Sequence, residues 1–167
     1  MTIIKYPDLR LQKASAPLAG LDENVRRLVD KMFELMFQAP GVGLAAAQVG
    51  INARLFVASP TCEQTDRRVY VNPEIVSAEG VQEEEEGCLS MPGVTSRIKR
   101  PATVTLRAIG LDGQTFQETG EGLLARVFQH EMDHLDGRLI VERMNSVARL
   151  ANRRAIKDLE DPPASHA

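Results

Sequence analysis

Across residues 22–38 the apolar side chains Val25, Leu28, Val29, Met32, Phe33 and Met36 return every three or four positions. That spacing lines one face of an α-helix. Asp22 is suited to cap its start, and Pro40-Gly41 to end it. Residues 41–50 are small and predict a loop. Strands are predicted at 55–58, 69–72 and 74–78, with Pro73 between the last two as an interruption. Residues 103–109 alternate, and Asp112-Gly113 supplies a turn into 115–118, which predicts a hairpin. A second helix spans 123–135, carries Leu124, Val127, Phe128 and Leu135, and is closed by Gly137. Residues 145–160 are polar and of helical character.

This order predicts an α+β domain, with antiparallel strands packed around a central helix and a further helix near each end. No linker or repeat divides residues 1–145, which are expected to be one catalytic domain. Residues 146–160 are expected to form a C-terminal helix and 161–167 a disordered tail.

Composition narrows the function without naming it. The chain has 167 residues, 43% of them hydrophobic and 26% charged, enough for one ordinary core. A net charge of -3 gives no reason to expect DNA as a partner. No apolar run approaches the roughly 20 residues needed to span a bilayer, and the first residues do not read as a signal peptide. A cytoplasmic setting is expected. The two cysteines, Cys62 and Cys88, are too few for a disulfide framework. Cys62 lies in a polar loop and reads as an exposed, dispensable thiol.

The chemistry concentrates in His130-Glu131-Met132-Asp133-His134. Residues i and i+4 of a helix share a face, with Cβ atoms roughly 5–6 Å apart, so His130 and His134 can hold one metal ion. Glu131 points beside that ion, where a carboxylate can exchange protons with an activated water. Only 3 histidines occur in the chain, and His166, the third, lies in the tail. A catalytic site of this type needs a third protein ligand and an open position. Cys88, next to Gly87, is the candidate; a buried structural cysteine is the alternative reading. Asp133 and Asp136 are candidates to hold the second nitrogen of a ligand imidazole, or else solvent-facing charges.

Three segments together resemble the peptide deformylase family: Gly41-Val42-Gly43-Leu44-Ala45-Ala46-Ala47-Gln48, Glu86-Gly87-Cys88-Leu89-Ser90, and Gln129-His130-Glu131-Met132-Asp133-His134-Leu135. The likeness runs from Ile4 to about Met144. It implies removal of the formyl group from the N-terminal N-formylmethionine of nascent polypeptides, with release of formate. A metalloprotease cleaving internal peptide bonds is the alternative, because it shares the helix motif. The resemblance implies Cys88, His130 and His134 as ligands of one divalent ion, often Fe2+, with Zn2+, Ni2+ or Co2+ able to replace it. Glu131 would be acid and base, and Gln48 with the Leu89 amide would face the oxyanion. Val42, Gly43 and Gly87 would pair with an extended substrate, and Glu86 would lie beside the site. Val42, Leu123, Val127 and His130 are candidates for walls of the methionine pocket. Arg149, Arg153, Arg154 and Lys157 would offer a basic face for transient ribosome association, offset by Asp158, Glu160 and Asp161.

Overall fold

The computed structural model describes residues 1–161. Its first α-helix, α1 (Glu23–Gln38), begins where Asp22 accepts the Val25 amide at 3.0 Å. Val25, Val29, Met32, Phe33 and Met36 form its buried stripe. The strands are β1 (Gly43–Ala45), β2 (Leu55–Ala58), β3 (Arg68–Glu79), β4 (Gln82–Gly87), β5 (Thr95–Arg100), β6 (Thr103–Ile109) and β7 (Thr115–Glu121). Then come α2 (Gly122–Leu135), α3 (Ser146–Ala151) and α4 (Arg153–Glu160), with 3-10 turns at Leu9–Gln12, Ala46–Val49 and Ile140–Glu142.

Five strands form one antiparallel sheet in the order β1-β2-β3-β6-β7. Successive residues of a strand face opposite sides. In β2, Leu55 and Val57 enter the cluster under α1, while Phe56 and Ala58 enter the cluster under α2. A strand covered by a helix on each face must be apolar throughout, which is why residues 55–58 carry no polar side chain. Tyr70 stacks on Phe56 with centroids 4.6 Å apart and meets the Phe128 edge at 5.2 Å. These aromatic contacts seat α2 on the sheet.

Among the described residues β4 and β5 pair only with each other. A third cluster, including Leu11, Met91, Val94, Ile98, Leu139 and Ile140, carries this hairpin, with Ala155, Ile156 and Leu159 of α4 packed against it.

The structure departs from expectation in four places. The segment 41–50 is not a plain loop, since it contains β1 and a 3-10 turn. β3 runs through Pro73, because its register with β6 shifts between Val71 and Glu74 and no ladder donor is required there. Asn72 sits beside that shift at φ 48, and its side chain bonds both the amide and the carbonyl of Leu18 at 2.8 Å. The β4–β5 hairpin is additional to the expected strands. The helix expected over 146–160 divides at Asn152. Of the expected 161–167 tail, residues 162–167 lie outside the described residues.

Candidate metal centre

α2 is oriented so that His130 and His134, one turn apart, point at the end of β4. Their Nε2 atoms are 3.2 Å apart, and the Cys88 Sγ lies 3.3 Å from the His134 Nε2. One donor atom from each of Cys88, His130 and His134 lies within 4.8 Å of the other two. The Cys88 sulfur faces the imidazole pair, as a ligand would.

The surroundings fix which nitrogen of His130 is available. Glu86 Oε2 lies 3.1 Å from His130 Nδ1. Burial would push the Glu86 carboxyl up, but the His130 and Arg100 hydrogen bonds hold it down to about 2. An ionised carboxylate only accepts, so Nδ1 donates to Glu86 and Nε2 is the nitrogen turned toward Cys88 and His134, free to serve as the ligand atom once a metal displaces its proton. Burial opposes charge on both Cys88 and His130. The facing imidazoles nevertheless hold the thiol well below its ordinary range, and Cys88 with Glu86 holds His130 well above its own. A thiolate and two imidazole nitrogens converging on one point fit a divalent transition metal.

Behind this layer is a buried ionic network. Arg100 donates to both Glu86 oxygens at 2.6 and 2.9 Å and to Asp133 at 3.0 Å. Arg143 grips Asp133 at 2.5 and 3.0 Å. The Arg100 and Glu86 side chains are only 3% and 4% exposed. Removing one partner of such a pair typically costs about 3–5 kcal/mol. Asp133 and Asp136 thus hold arginines rather than imidazoles, Asp136 pairing with Arg54 at 2.9 Å. The residue that holds His130 comes from β4 instead.

This network predicts an acid limb of stability. Glu86 ordinarily titrates at 4.5 and is depressed to about 2 in the fold, and Asp133 is shifted the same way. A depressed carboxyl contributes its full stability above the unfolded pKa and loses it as pH falls through the folded one. Melting temperature should therefore fall between pH 4.5 and 2, and the Glu86→Gln variant should show a shallower slope there. A parallel slope in the variant would contradict this assignment.

Glu131 is buried, and its Oε2 has no hydrogen-bond partner among the described residues. Burial, opposed by the imidazoles, raises its pKa. It lines a cleft of about 410 Å³ together with Val42, Gly43, Gln48, Glu86, Gly87, Cys88, Leu89, Leu123, Val127 and His130. One wall is continuous with β1, an outer strand of the large sheet, and the other with β4, whose only strand neighbour among the described residues is β5. Gln48 is held by its Oε1, which accepts the Ala45 amide at 2.9 Å; its Nε2 faces Ser90 Oγ at 3.3 Å and Cys88 Sγ at 3.8 Å. Val127 is buried, whereas Leu123 is 49% exposed and forms the rim. Cys62 is exposed, as expected.

Gly43 is required by close approach. A Cβ there would lie 2.9 Å from the Glu131 carboxyl carbon and 3.0 Å from Val127 Cγ1. Gly43→Ala should displace the Glu131 carboxylate and lower turnover roughly 100-fold while the fold survives. Unchanged turnover would show that Glu131 need not be held there.

Sequence reasoning missed Ser90, Arg100, Arg126 and Lys5. The Lys5 ammonium donates to the Leu89 carbonyl, and Arg126 Nη2 bonds Gln82 at 2.6 Å, joining α2 to the hairpin. Ser90 lies within the second motif but received no role there; the partners of all four are far away in sequence, so local spacing does not assign them.

Residues 1–150 match the sequence profile described as polypeptide deformylase. A peptide deformylase of Acidobacterium capsulatum is 46% identical over 160 residues, covering 95% of this chain and 94% of that one. A crystal structure of a peptide deformylase from Legionella pneumophila superposes with a TM-score of 0.90 at 42% identity, covering 95% and 94% of the two chains. The peptide deformylase of Plasmodium falciparum gives 0.93 at 34%, covering 99% of each.

Proposed function

Since the chain belongs to the polypeptide deformylase family, we propose that it removes the formyl group from the N-terminal N-formylmethionine of nascent polypeptides, releasing formate. The observation that carries this reading is the meeting of the Cys88 sulfur with the His130 and His134 nitrogens beside the buried Glu131 carboxylate, at the floor of a cleft between two strand edges. The site fits one divalent ion. Fe2+ is the physiological ion that family likeness suggests, and Zn2+, Ni2+ and Co2+ suit the same donors.

When bound, the ion supplies Lewis acidity and lowers the pKa of water toward neutrality. The chain's own groups do the rest. Glu131 accepts the proton of the attacking water and returns it to the leaving nitrogen. Gln48 Nε2 and the Leu89 amide donate to the oxyanion that forms on the formyl carbon, each worth about 2.7–4 kcal/mol on the scale of comparable sites. Val42, Gly43 and Gly87 offer main-chain groups to an extended substrate, so that affinity comes from strand addition. Leu123 and Val127 take the methionine side chain, which gives specificity. Glu86 keeps His130 in the productive tautomer.

Residues 1–145 form the catalytic unit in this reading, with the C-terminal helices added to it. No described helix is long and apolar enough to cross a membrane. A bacterial cytoplasm, where chains are met as they are made, is the natural setting for this substrate. Arg149, Arg153, Arg154 and Lys157 are all exposed on α3 and α4 and would support transient ribosome contact.

Incubation with formyl-Met-Ala-Ser, and with the same peptide unformylated, tests the reaction. Formate release with an intact chain supports it. Cleavage of the unformylated peptide would instead favour a protease.

A further inference from the structure

Asn152, at the break between α3 and α4, treats Thr95 as a strand would. Its Oδ1 accepts the Thr95 amide at 3.2 Å, and its Nδ2 donates to the Thr95 carbonyl at 2.8 Å. The same amide is anchored to the Ala148 carbonyl at 3.0 Å, so the side chain is fixed to its own helix. Thr95 begins β5, stands opposite Gly87 in the β4–β5 register, and lines the cleft.

The N–H and C=O of one strand residue point to the same side. Those of Thr95 point away from β4, toward Asn152. Gly87 and Thr95 are therefore one of the non-hydrogen-bonded pairs that alternate along an antiparallel ladder. The main-chain groups of Gly87 must then face the opposite way, away from β5 and into the cleft. Among the described residues β4 has no other strand neighbour, so this register leaves those two groups turned toward an incoming chain.

We propose that Asn152 is a positioning residue for substrate, and that through it the α3–α4 pair sets how tightly the cleft binds an extended peptide. The brace is local to one end of the hairpin. The Gln82/Arg100 end is fastened separately by Arg126 to Gln82, and Arg100 ties Glu86, the residue before Gly87, to Asp133 of α2, so loss of Asn152 loosens Thr95 and the register opposite Gly87 while Glu86 keeps its own anchor beside Cys88. The Asn72 side chain holds both main-chain groups of Leu18 by the same geometry at the β3 irregularity.

The inference rests on the deformylase reading, and its test separates the two. Steady-state formate release is measured for the wild-type, Asn152→Ala and Asn152→Asp enzymes at equal metal content, together with hydrogen exchange at the Thr95 amide. Asn152→Ala should raise KM about five-fold with kcat within two-fold, and the Thr95 amide should lose protection. Asn152→Asp keeps the acceptor for the Thr95 amide and loses the donor to its carbonyl, so its KM should fall between the two. An unchanged KM in both variants, or a fall in kcat at constant KM, overturns the proposal, and so does a Thr95 amide as protected in Asn152→Ala as in wild type. A wild-type enzyme that releases no formate would refute the reaction instead, while the amide exchange would still report on the brace.

Discussion

Replacing Glu131 with glutamine leaves the metal bound and lowers formate release by roughly 10²- to 10⁴-fold. Glutamine keeps the size and shape of the side chain but cannot accept a proton. Among the described residues the site offers no substitute base: Cys88 and the two imidazoles converge on one another as ligands would, and Glu86 is committed to His130 and Arg100. Glu131 is also the side chain whose environment suits proton traffic. Its Oε2 is buried without a partner, and burial raises its pKa, which brings proton affinity closer to neutrality than a solvated glutamate would have. Metal content measured on the variant separates this outcome from collapse of the site. A metal-replete Glu131→Gln enzyme with wild-type turnover would remove Glu131 from the proton path.

Replacing Cys88 with alanine should weaken metal binding by more than about 100-fold and abolish formate release with it. Changing a residue that merely orients a ligand costs roughly 10- to 100-fold in affinity, and loss of a ligand itself must exceed that. The fold should persist, because the hairpin carrying Cys88 is held by the Arg100–Glu86 pair and by the cluster around Met91, Val94 and Ile98. Dialysis against a metal buffer reads the affinity, and circular dichroism at the same temperature reads the fold. Retention of one ion per chain at wild-type affinity would exclude the thiolate from the site.

Much of this arrangement was legible before any coordinates. The heart of the site is a helical i, i+4 pair, and that spacing depends on local geometry alone. The stripe of α1 and its Asp22 cap were legible for the same reason, as was the β6–β7 hairpin with its Asp-Gly turn. Cys88 could be nominated from its glycine neighbour, but a preference between ligand and inert thiol needed either the family resemblance or the 3.3 Å approach to His134.

What escaped has physical causes. β4 reads Gln82-Glu83-Glu84-Glu85-Glu86-Gly87, a charge run that resembles a solvated loop because Glu86 is its only buried residue. β5 does alternate, but it buries Ser96 and Arg100 beside Ile98, so a search for alternating apolar residues passes over it. Arg100 is buried because Glu86 and Asp133 neutralise it, and those partners lie 14 and 33 residues away. β1 is only three residues, Gly43-Leu44-Ala45, buried because Leu44 enters the cluster under α1 and Ala45 the cluster under α2. Pro73 suggested a break because proline cannot join a ladder, yet the register shift removes the need. In each case the deciding interaction is long-range.

The central claim is that one ion, held by Cys88, His130 and His134, carries the hydrolysis. Titrating the metal-free protein with Co2+, while following the thiolate-to-cobalt charge-transfer band and formate release on the same samples, tests it most directly. The account predicts that both rise together, saturate at one ion per chain, and vanish together in Cys88→Ala. Full formate release from metal-free protein, or an active cobalt enzyme without the sulfur band, would contradict it.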